Sequence, residues 1–207
     1  MKSFISEDDI EQAICNRLSL PEYGWKRIEC DARVEAQDDV STTGRANPSE
    51  CILPDVFLAA LKRLNPQVEE GVLQGILRNF RKDYTATDMV ETNYKLYNQL
   101  RNGIKKPVRK NGKEDFDIVR LIDFDHPERN DFHCVNQMWI KGHYRYRRPD
   151  VLLFVNGLPV VFIELKNSTV KVEESYNKNL TSYRKDIPNI FSFNQICVSV
   201  SYTHLRA

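Results

Sequence analysis

Two carboxylates and an ammonium group lie at the two ends of an otherwise apolar stretch of the chain. Asp150 opens the stretch, and Glu164 and Lys166 end it. Charges at the ends of buried strands have to be paired or to bind a metal ion, because burial of an isolated charge is costly. Two carboxylates on a hard cation, with an ammonium nearby, are the groups that metal-assisted phosphodiester hydrolysis requires. A plain surface ion pair between Glu164 and Lys166 is the alternative.

The meeting of the two carboxylates depends on the register of the hairpin that carries them. Asn156-Gly157 is a preferred turn pair between its two strands. A two-residue turn would place Asp150 and Glu164 on opposite faces, whereas a three-residue connection places them opposite each other. Pro159 argues against the tight ladder of the shorter turn. We therefore predict the three-residue register, with the two Cβ atoms about 5 Å apart and both carboxylates within reach of one Mg²⁺ ion.

Helical patterns precede this hairpin. Ser6 and Asp9 form a capping-box pair, which predicts a helix that Pro21 ends. A polar composition predicts a loop over residues 36–49. Apolar residues at helical spacing predict further helices over residues 54–64, 67–82 and 86–102.

Strand patterns surround the hairpin. Runs of β-prone residues predict strands over residues 116–124, 132–140, 151–155, 160–165 and 196–200. A polar helix is predicted over residues 171–187. Helices followed by a sheet that one helix interrupts predict an α/β fold. We expect a single domain over residues 1–207, with a helical part at about 1–115 and the motif-bearing sheet at about 116–207.

Composition narrows the class of protein. The net charge of the 207 residues is only +1, so any nucleic-acid surface must be local. The five cysteines are scattered and lack a C-x-x-C pair, which indicates reduced thiols in a cytoplasmic protein. No apolar run has the length of a membrane span. No G-x-x-x-x-G-K-[ST] loop is present, so we do not expect this chain to bind ATP.

A resemblance to one protein family rests on the run R-R-P-D-V-L-L-F-V-N-G-L-P-V-V-F-I-E-L-K-N, residues 147–167. It resembles the PD-(D/E)xK nuclease motif in the N-terminal domain of type I restriction enzyme R subunits. Residues 122–137, I-D-F-D-H-P-E-R-N-D-F-H-C-V-N-Q, and the opening S-E-D-D-I-E are similar to the same family. The resemblance implies a restriction-endonuclease-like core, a mixed central sheet flanked by helices, that cuts double-stranded DNA with Mg²⁺.

The resemblance also implies roles for individual residues of the motif. Asp150 and Glu164 correspond to metal ligands, and Lys166 corresponds to the catalytic lysine. The main-chain carbonyl of Leu165 is an additional expected ligand. Lys166 would orient a water molecule or stabilise developing negative charge.

Two further positions are candidates near the site. The family carries Q-x-x-x-Y on the helix after the motif, and this sequence has N-L-T-S-Y from Asn179 to Tyr183. Tyr183 is retained while asparagine replaces glutamine, and both residues are expected to support the site. Glu11, on the first helix, is a candidate metal ligand. A solvent-exposed helix charge is the alternative for Glu11.

Partners follow from the same resemblance. In that family the nuclease domain is fused to an ATP-driven motor and assembled with methylation and specificity subunits. Those subunits and double-stranded DNA are therefore the expected partners, and ATP is expected only in motor domains absent from this sequence. The tail over residues 201–207 does not resemble the family's continuation, so we interpret the chain as a fragment. A stand-alone repair nuclease and a non-catalytic docking or DNA-binding module are the alternatives.

A basic strip leads directly into Asp150. Tyr144 and Tyr146 alternate with its cationic side chains. Contacts from such a strip to DNA phosphates would be non-specific and salt-sensitive. A solvated edge strand is the alternative. The predicted DNA-binding residues are Lys141, Arg145, Arg147 and Arg148.

Overall fold

The computed structural model describes residues 6–30, 38–82, 84, 88–110, 113–166 and 180–201, without the side chains of residues 38, 39, 108–110, 113, 114, 166 and 201. Its helices are α1 (Glu7–Leu18), α2 (Asp38–Thr43), α3 (Pro54–Leu64), α4 (Glu70–Phe80), α5 (Met89–Asn102), α6 (Thr181–Asp186) and α7 (Pro188–Phe193). Its strands are β1 (Lys26–Glu29), β2 (Ile104–Lys110), β3 (Lys113–Val119), β4 (Phe132–Asn136), β5 (Ile140–Lys141), β6 (Tyr146–Arg147), β7 (Val151–Val155), β8 (Leu158–Lys166) and β9 (Ile196–Ser201).

A five-stranded sheet in the order β1-β4-β7-β8-β9 forms the centre of the fold. The outer pairs, β1 with β4 and β8 with β9, are parallel, and the inner pairs are antiparallel. Strand β7 is central and apolar on both faces, as a strand covered on both sides must be. The predicted α/β class, a mixed sheet flanked by helices as in a restriction-endonuclease-like core, is confirmed.

Alternation along β7 and β8 divides the core into two layers. Val151 and Ile163 pack on one face with Cys15 of α1. Leu152 and Phe162 pack on the other face with residues of α6 and α7. The site at the end of this hairpin is therefore approached by α1 from one side of the sheet and by α6 from the other.

Several predicted elements are confirmed. The capping box at the start of α1 is present, with the Ser6 hydroxyl accepting from the Asp9 main-chain N–H and the Asp9 side chain accepting from the Ser6 N–H. Helix α3 has the predicted bounds, and α4 and α5 lie within theirs. All five cysteines are free thiols. None of the helices in the described ranges has the length and apolar character needed to cross a bilayer.

Other predictions need correction. The predicted loop over residues 36–49 contains α2. The predicted strand over residues 116–124 is β3, which pairs with β2 in a separate ribbon and lies outside the central sheet. Strand β1 was not predicted, so the part of the chain predicted to be helical supplies an edge of the central sheet. Four residues, K-R-I-E, carry too short a pattern to be recognised without the parallel partner β4.

Candidate active site

The turn of the β7–β8 hairpin differs from the prediction. Val155 pairs with Leu158, so the connection is the two-residue turn Asn156-Gly157, and the predicted three-residue connection is wrong. Asn156 and Gly157 have φ values of 50° and 79°, as the tight hairpin turn that suits Asn-Gly requires. A Cβ atom on Gly157 would lie 2.5 Å from the Leu53 carbonyl oxygen, which excludes a larger residue.

A β-bulge restores the register that the shorter turn would have lost. Phe154 pairs with Pro159 and Leu153 with Val161, which leaves Val160 as an extra residue in β8. The Val160 carbonyl accepts instead from the Gln195 main-chain N–H at 2.8 Å. Val160 in the bulge thus takes the place of the third residue that was predicted in the turn.

The bulge brings Asp150 and Glu164 together, as predicted. Val151 pairs with Ile163, and the next residues outward along the two strands are Asp150 and Glu164. The Leu165 main-chain N–H donates to Asp150 Oδ2 at 2.6 Å, which ties the carboxylate to the neighbouring strand. Glu164 is only 6% exposed, so a surface position for its carboxylate is excluded.

Tyr183 on α6 contacts this pair from one face of the sheet. Its hydroxyl donates to the Arg148 main-chain oxygen at 3.4 Å and interacts with the Glu164 carboxylate, and its ring lies edge-on to Phe162 with the centroids 5.1 Å apart. Burial raises the pKa of Tyr183, and the negative charges of Glu164 and Asp150 raise it further. The hydroxyl therefore stays protonated and remains a hydrogen-bond donor beside Glu164.

Glu11 on α1 approaches Asp150 from the other face of the sheet. The Glu11 side chain is 4% exposed, so the alternative of a solvent-exposed helix charge is wrong. Its Oε1 accepts from Asn136 Nδ2 at 2.9 Å, and its Oε2 accepts from Gln137 Nε2. Burial raises the pKa of Glu11, the two amides oppose this, and the negative charge of Asp150 adds to it. Glu11 and Asp150 therefore lie close enough to interact electrostatically.

Comparison with known proteins identifies the family. A family model described as the type I restriction enzyme R protein N terminus matches residues 4–207. This chain belongs to that family. It is similar to the HindI type I restriction enzyme endonuclease subunit of Haemophilus influenzae, with 31% identity over 94% of this chain and 18% of the relative. It is also similar to the putative MjaIXP type I restriction enzyme endonuclease subunit of Methanocaldococcus jannaschii, with 32% identity over 74% of this chain and 15% of the relative.

The match covers only part of each relative. The R-protein N-terminal domain described here spans less than a fifth of the length of these curated relatives. The resemblance found in the sequence is confirmed at the level of the family.

The residues of the predicted basic strip make different contacts within the domain. Arg147 Nε donates to Asp186 Oδ2 at 2.7 Å, and its guanidinium lies 5.5 Å from the centre of the Tyr183 ring. Its charge is thus paired with Asp186 within the domain, and the DNA contact predicted for Arg147 stays a prediction. Arg148 lies over the Trp139 ring at 5.1 Å.

Two other members of the strip are exposed. Lys141 lies over the Tyr146 ring at 5.8 Å, and both Lys141 and Arg145 face solvent. The DNA contacts predicted for these side chains stay predictions.

Two predicted site residues of this R-protein domain lie partly or wholly outside the described residues. The backbone of Lys166 pairs with Ser201 of β9, but its side chain lies outside the described part of the chain. Asn179 also lies outside the described residues. The roles predicted for both therefore stay predictions.

Asn136 and Gln137 contact Glu11 and were not predicted to lie near the site. Both belong to the run over residues 122–137 that carries the family resemblance, but no role was assigned to either. In the sequence the two amides lie inside the predicted strand over residues 132–140, where nothing marks them as site residues. Their contact with Glu11 spans more than 120 positions of the chain, which no local pattern reveals.

Proposed function

We propose that this domain is a Mg²⁺-dependent endonuclease that hydrolyses phosphodiester bonds of double-stranded DNA. The observation that carries the proposal is the position of Asp150 opposite Glu164, in a member of the type I restriction R-protein family. Two carboxylates on adjacent strand ends, one of them buried, supply negative charge where a cation can compensate for it.

The donor set suits Mg²⁺ in its chemistry. All the proposed ligands are oxygen atoms, namely the carboxylates of Asp150 and Glu164 and the main-chain carbonyl of Leu165. Across the residues that the structure describes, no three His, Cys, Asp or Glu side chains form a ready-made metal cage. Few protein ligands are sufficient for Mg²⁺, because this ion keeps several of its waters. Bound there, it would lower the pKa of a water nucleophile and neutralise charge on the phosphate.

The side chains around this pair have separate tasks in the proposed reaction. Asp150 is oriented by the Leu165 N–H, and the protonated Tyr183 hydroxyl interacts with Glu164. Lys166 is the proposed catalytic lysine, which orients the attacking water or stabilises the charge that develops on the phosphate. Lys141 and Arg145 are the proposed phosphate contacts, because both are exposed.

The proposed activity extends to the longer proteins that this family contains. The relatives are named as endonuclease subunits of type I restriction enzymes. We propose that cleavage is coupled there to ATP-driven translocation by motor domains, in a complex with methylation and specificity subunits. ATP would be bound only by those motor domains.

Plasmid cleavage tests the proposed function. The 207-residue chain, an Asp150→Ala variant and an Asp125→Ala control are each incubated with supercoiled plasmid and Mg²⁺. Loss of an outer-shell partner costs about 10- to 100-fold, and loss of a direct ligand should cost at least as much. We expect Asp150→Ala to abolish cutting and Asp125→Ala, which changes an exposed loop residue, to preserve it. DNA binding without cutting by any of the three would favour the docking module.

A further inference from the structure

The dipeptide Asn136-Gln137 at the end of β4 has two unusual structural features. Gln137 has a φ of 58°, in the left-handed region that residues other than glycine rarely adopt. Asn136 is 2% exposed, and its buried Oδ1 has no hydrogen-bond partner within the described ranges. Both features oppose folding, and such features persist where the surrounding structure or a function requires them.

Contacts with Glu11 explain both of these unusual features. Asn136 directs its Nδ2 at Glu11 Oε1, 2.9 Å away, and the orientation of the amide leaves Oδ1 without a partner. The left-handed backbone of Gln137 allows two contacts at once. Its side-chain Nε2 donates to Glu11 Oε2, and its main-chain N–H donates to the Asp150 main-chain oxygen at 3.0 Å. The dipeptide therefore connects Glu11 directly to Asp150.

We propose that Asn136 and Gln137 are positioning residues, which hold Glu11 beside Asp150 as an additional negative charge of the cleavage site. This inference rests on the proposed function and deepens it. The Asn136–Gln137 clamp acts through Glu11, and it strengthens the binding of a divalent cation at Asp150.

The chemistry of the clamp favours this role over simple attachment of α1. Two neutral amides hold both oxygens of Glu11 and leave its charge in place, whereas an arginine or lysine would have cancelled it. Among the described residues, the carboxylates that act on Glu11 are Asp150 and Asp8, so its neighbours add negative charge.

Helix α1 also has attachments of its own. Its buried Cys15 packs in the core, and Asn16 accepts from Arg27 Nη1 at 3.0 Å. Attachment of α1 therefore does not require a buried carboxylate at position 11.

Cation binding, measured apart from cleavage, tests the clamp. Mn²⁺ is the probe, because it shares the preference of Mg²⁺ for carboxylate, carbonyl and water ligands. Its binding can be measured by electron paramagnetic resonance. Gln137→Gly removes the amide and suits the left-handed backbone, so the variant should fold. Asn16→Ala is the matched control, because it removes an amide contact of α1 that does not involve Glu11.

We expect Gln137→Gly to weaken Mn²⁺ binding about 10-fold, the lower end of the effect of losing a partner that orients a ligand, because Glu11 acts as a charge beside the ligands. Asn16→Ala should bind Mn²⁺ as the unchanged chain does. Gln137→Asn, which tolerates the left-handed region but carries a shorter side chain, should also bind Mn²⁺ more weakly. Equal affinity in Gln137→Gly and the unchanged chain would overturn the clamp, and so would equal weakening by Asn16→Ala.

Failure of the clamp and failure of the proposed function give different results. A chain that binds Mn²⁺ in a Gln137-dependent manner but never cuts plasmid supports the clamp and refutes the nuclease. A chain that cuts plasmid, and whose Gln137→Gly variant binds Mn²⁺ with unchanged affinity, supports the nuclease and refutes the clamp. If the unchanged chain does not bind Mn²⁺ at all, both are refuted.

Discussion

The two ends of the β7–β8 hairpin hold buried polar groups of different kinds. At the turn, the side chain of Asn156 is completely buried and makes hydrogen bonds with both its nitrogen and its oxygen. Asp131 beside it faces two cations, Arg63 at 2.7 Å and Lys26 at 3.2 Å. At the open end, Glu11 is held by amides and lies beside another carboxylate.

The pKa values of the two ends shift in opposite directions. Burial alone would raise the pKa of Asp131, but the hydrogen bonds and charges of Arg63 and Lys26 lower it below its ordinary value. Burial raises the pKa of Glu11, and its neutral partners do not reverse the shift. The chain therefore compensates its own charges where they serve the fold. At the open end, the proposed Mg²⁺ ion would supply compensating charge.

The largest expected effect is a loss of stability at the turn. In Asn156→Ala, the Leu121 carbonyl and the Asp131 N–H lose their partner in the core, and alanine must adopt a φ of 50°. Each unsatisfied buried group costs about 1–3 kcal/mol, so we expect a total of about 3 kcal/mol. Urea denaturation without metal measures it. Asn98→Ala, which removes an amide contact within α5, should change stability by less than about 0.5 kcal/mol.

A smaller effect is expected at the open end, and only when a cation is present. Mg²⁺ at ten times its dissociation constant should stabilise the unchanged chain by about 1.4 kcal/mol. Asp150→Asn should abolish this increment and leave the metal-free stability nearly unchanged, since asparagine can still accept from the Leu165 N–H. Thermal melts with and without Mg²⁺ measure both quantities. If Asn156→Ala loses the increment and Asp150→Asn keeps it, the division of the hairpin into two functional ends is refuted.

The two ends also differ in how far the sequence predicts them. The sequence correctly predicts that Asp150 and Glu164 lie opposite each other. The predicted cause is wrong, because a bulge at Val160, and not a longer turn, sets this register. The bulge depends on Gln195, which is distant in the chain and binds the displaced carbonyl. A helix with strong local signals, such as α3, is predicted to the residue. The clamp on Glu11 is a contact between distant segments and carries no such signal.

The smallest expected effect is the pH dependence of the ion pairs at the turn. Because the folded-state pKa of Asp131 lies below its ordinary value of 3.8, its pairs stabilise the fold above that pH, and the contribution disappears as the pH falls through the folded-state pKa. Asp131→Asn should therefore lower the free energy of unfolding at neutral pH by at most about 1 kcal/mol, the range of partly exposed ion pairs.

Urea denaturation at pH values on both sides of 3.8 measures this difference. The two curves should converge at the acid end. If the variant and the unchanged chain stay equally far apart at every pH, Asp131 contributes through its hydrogen bonds alone. Compensation of charge within the chain would then not be what distinguishes the turn from the open end.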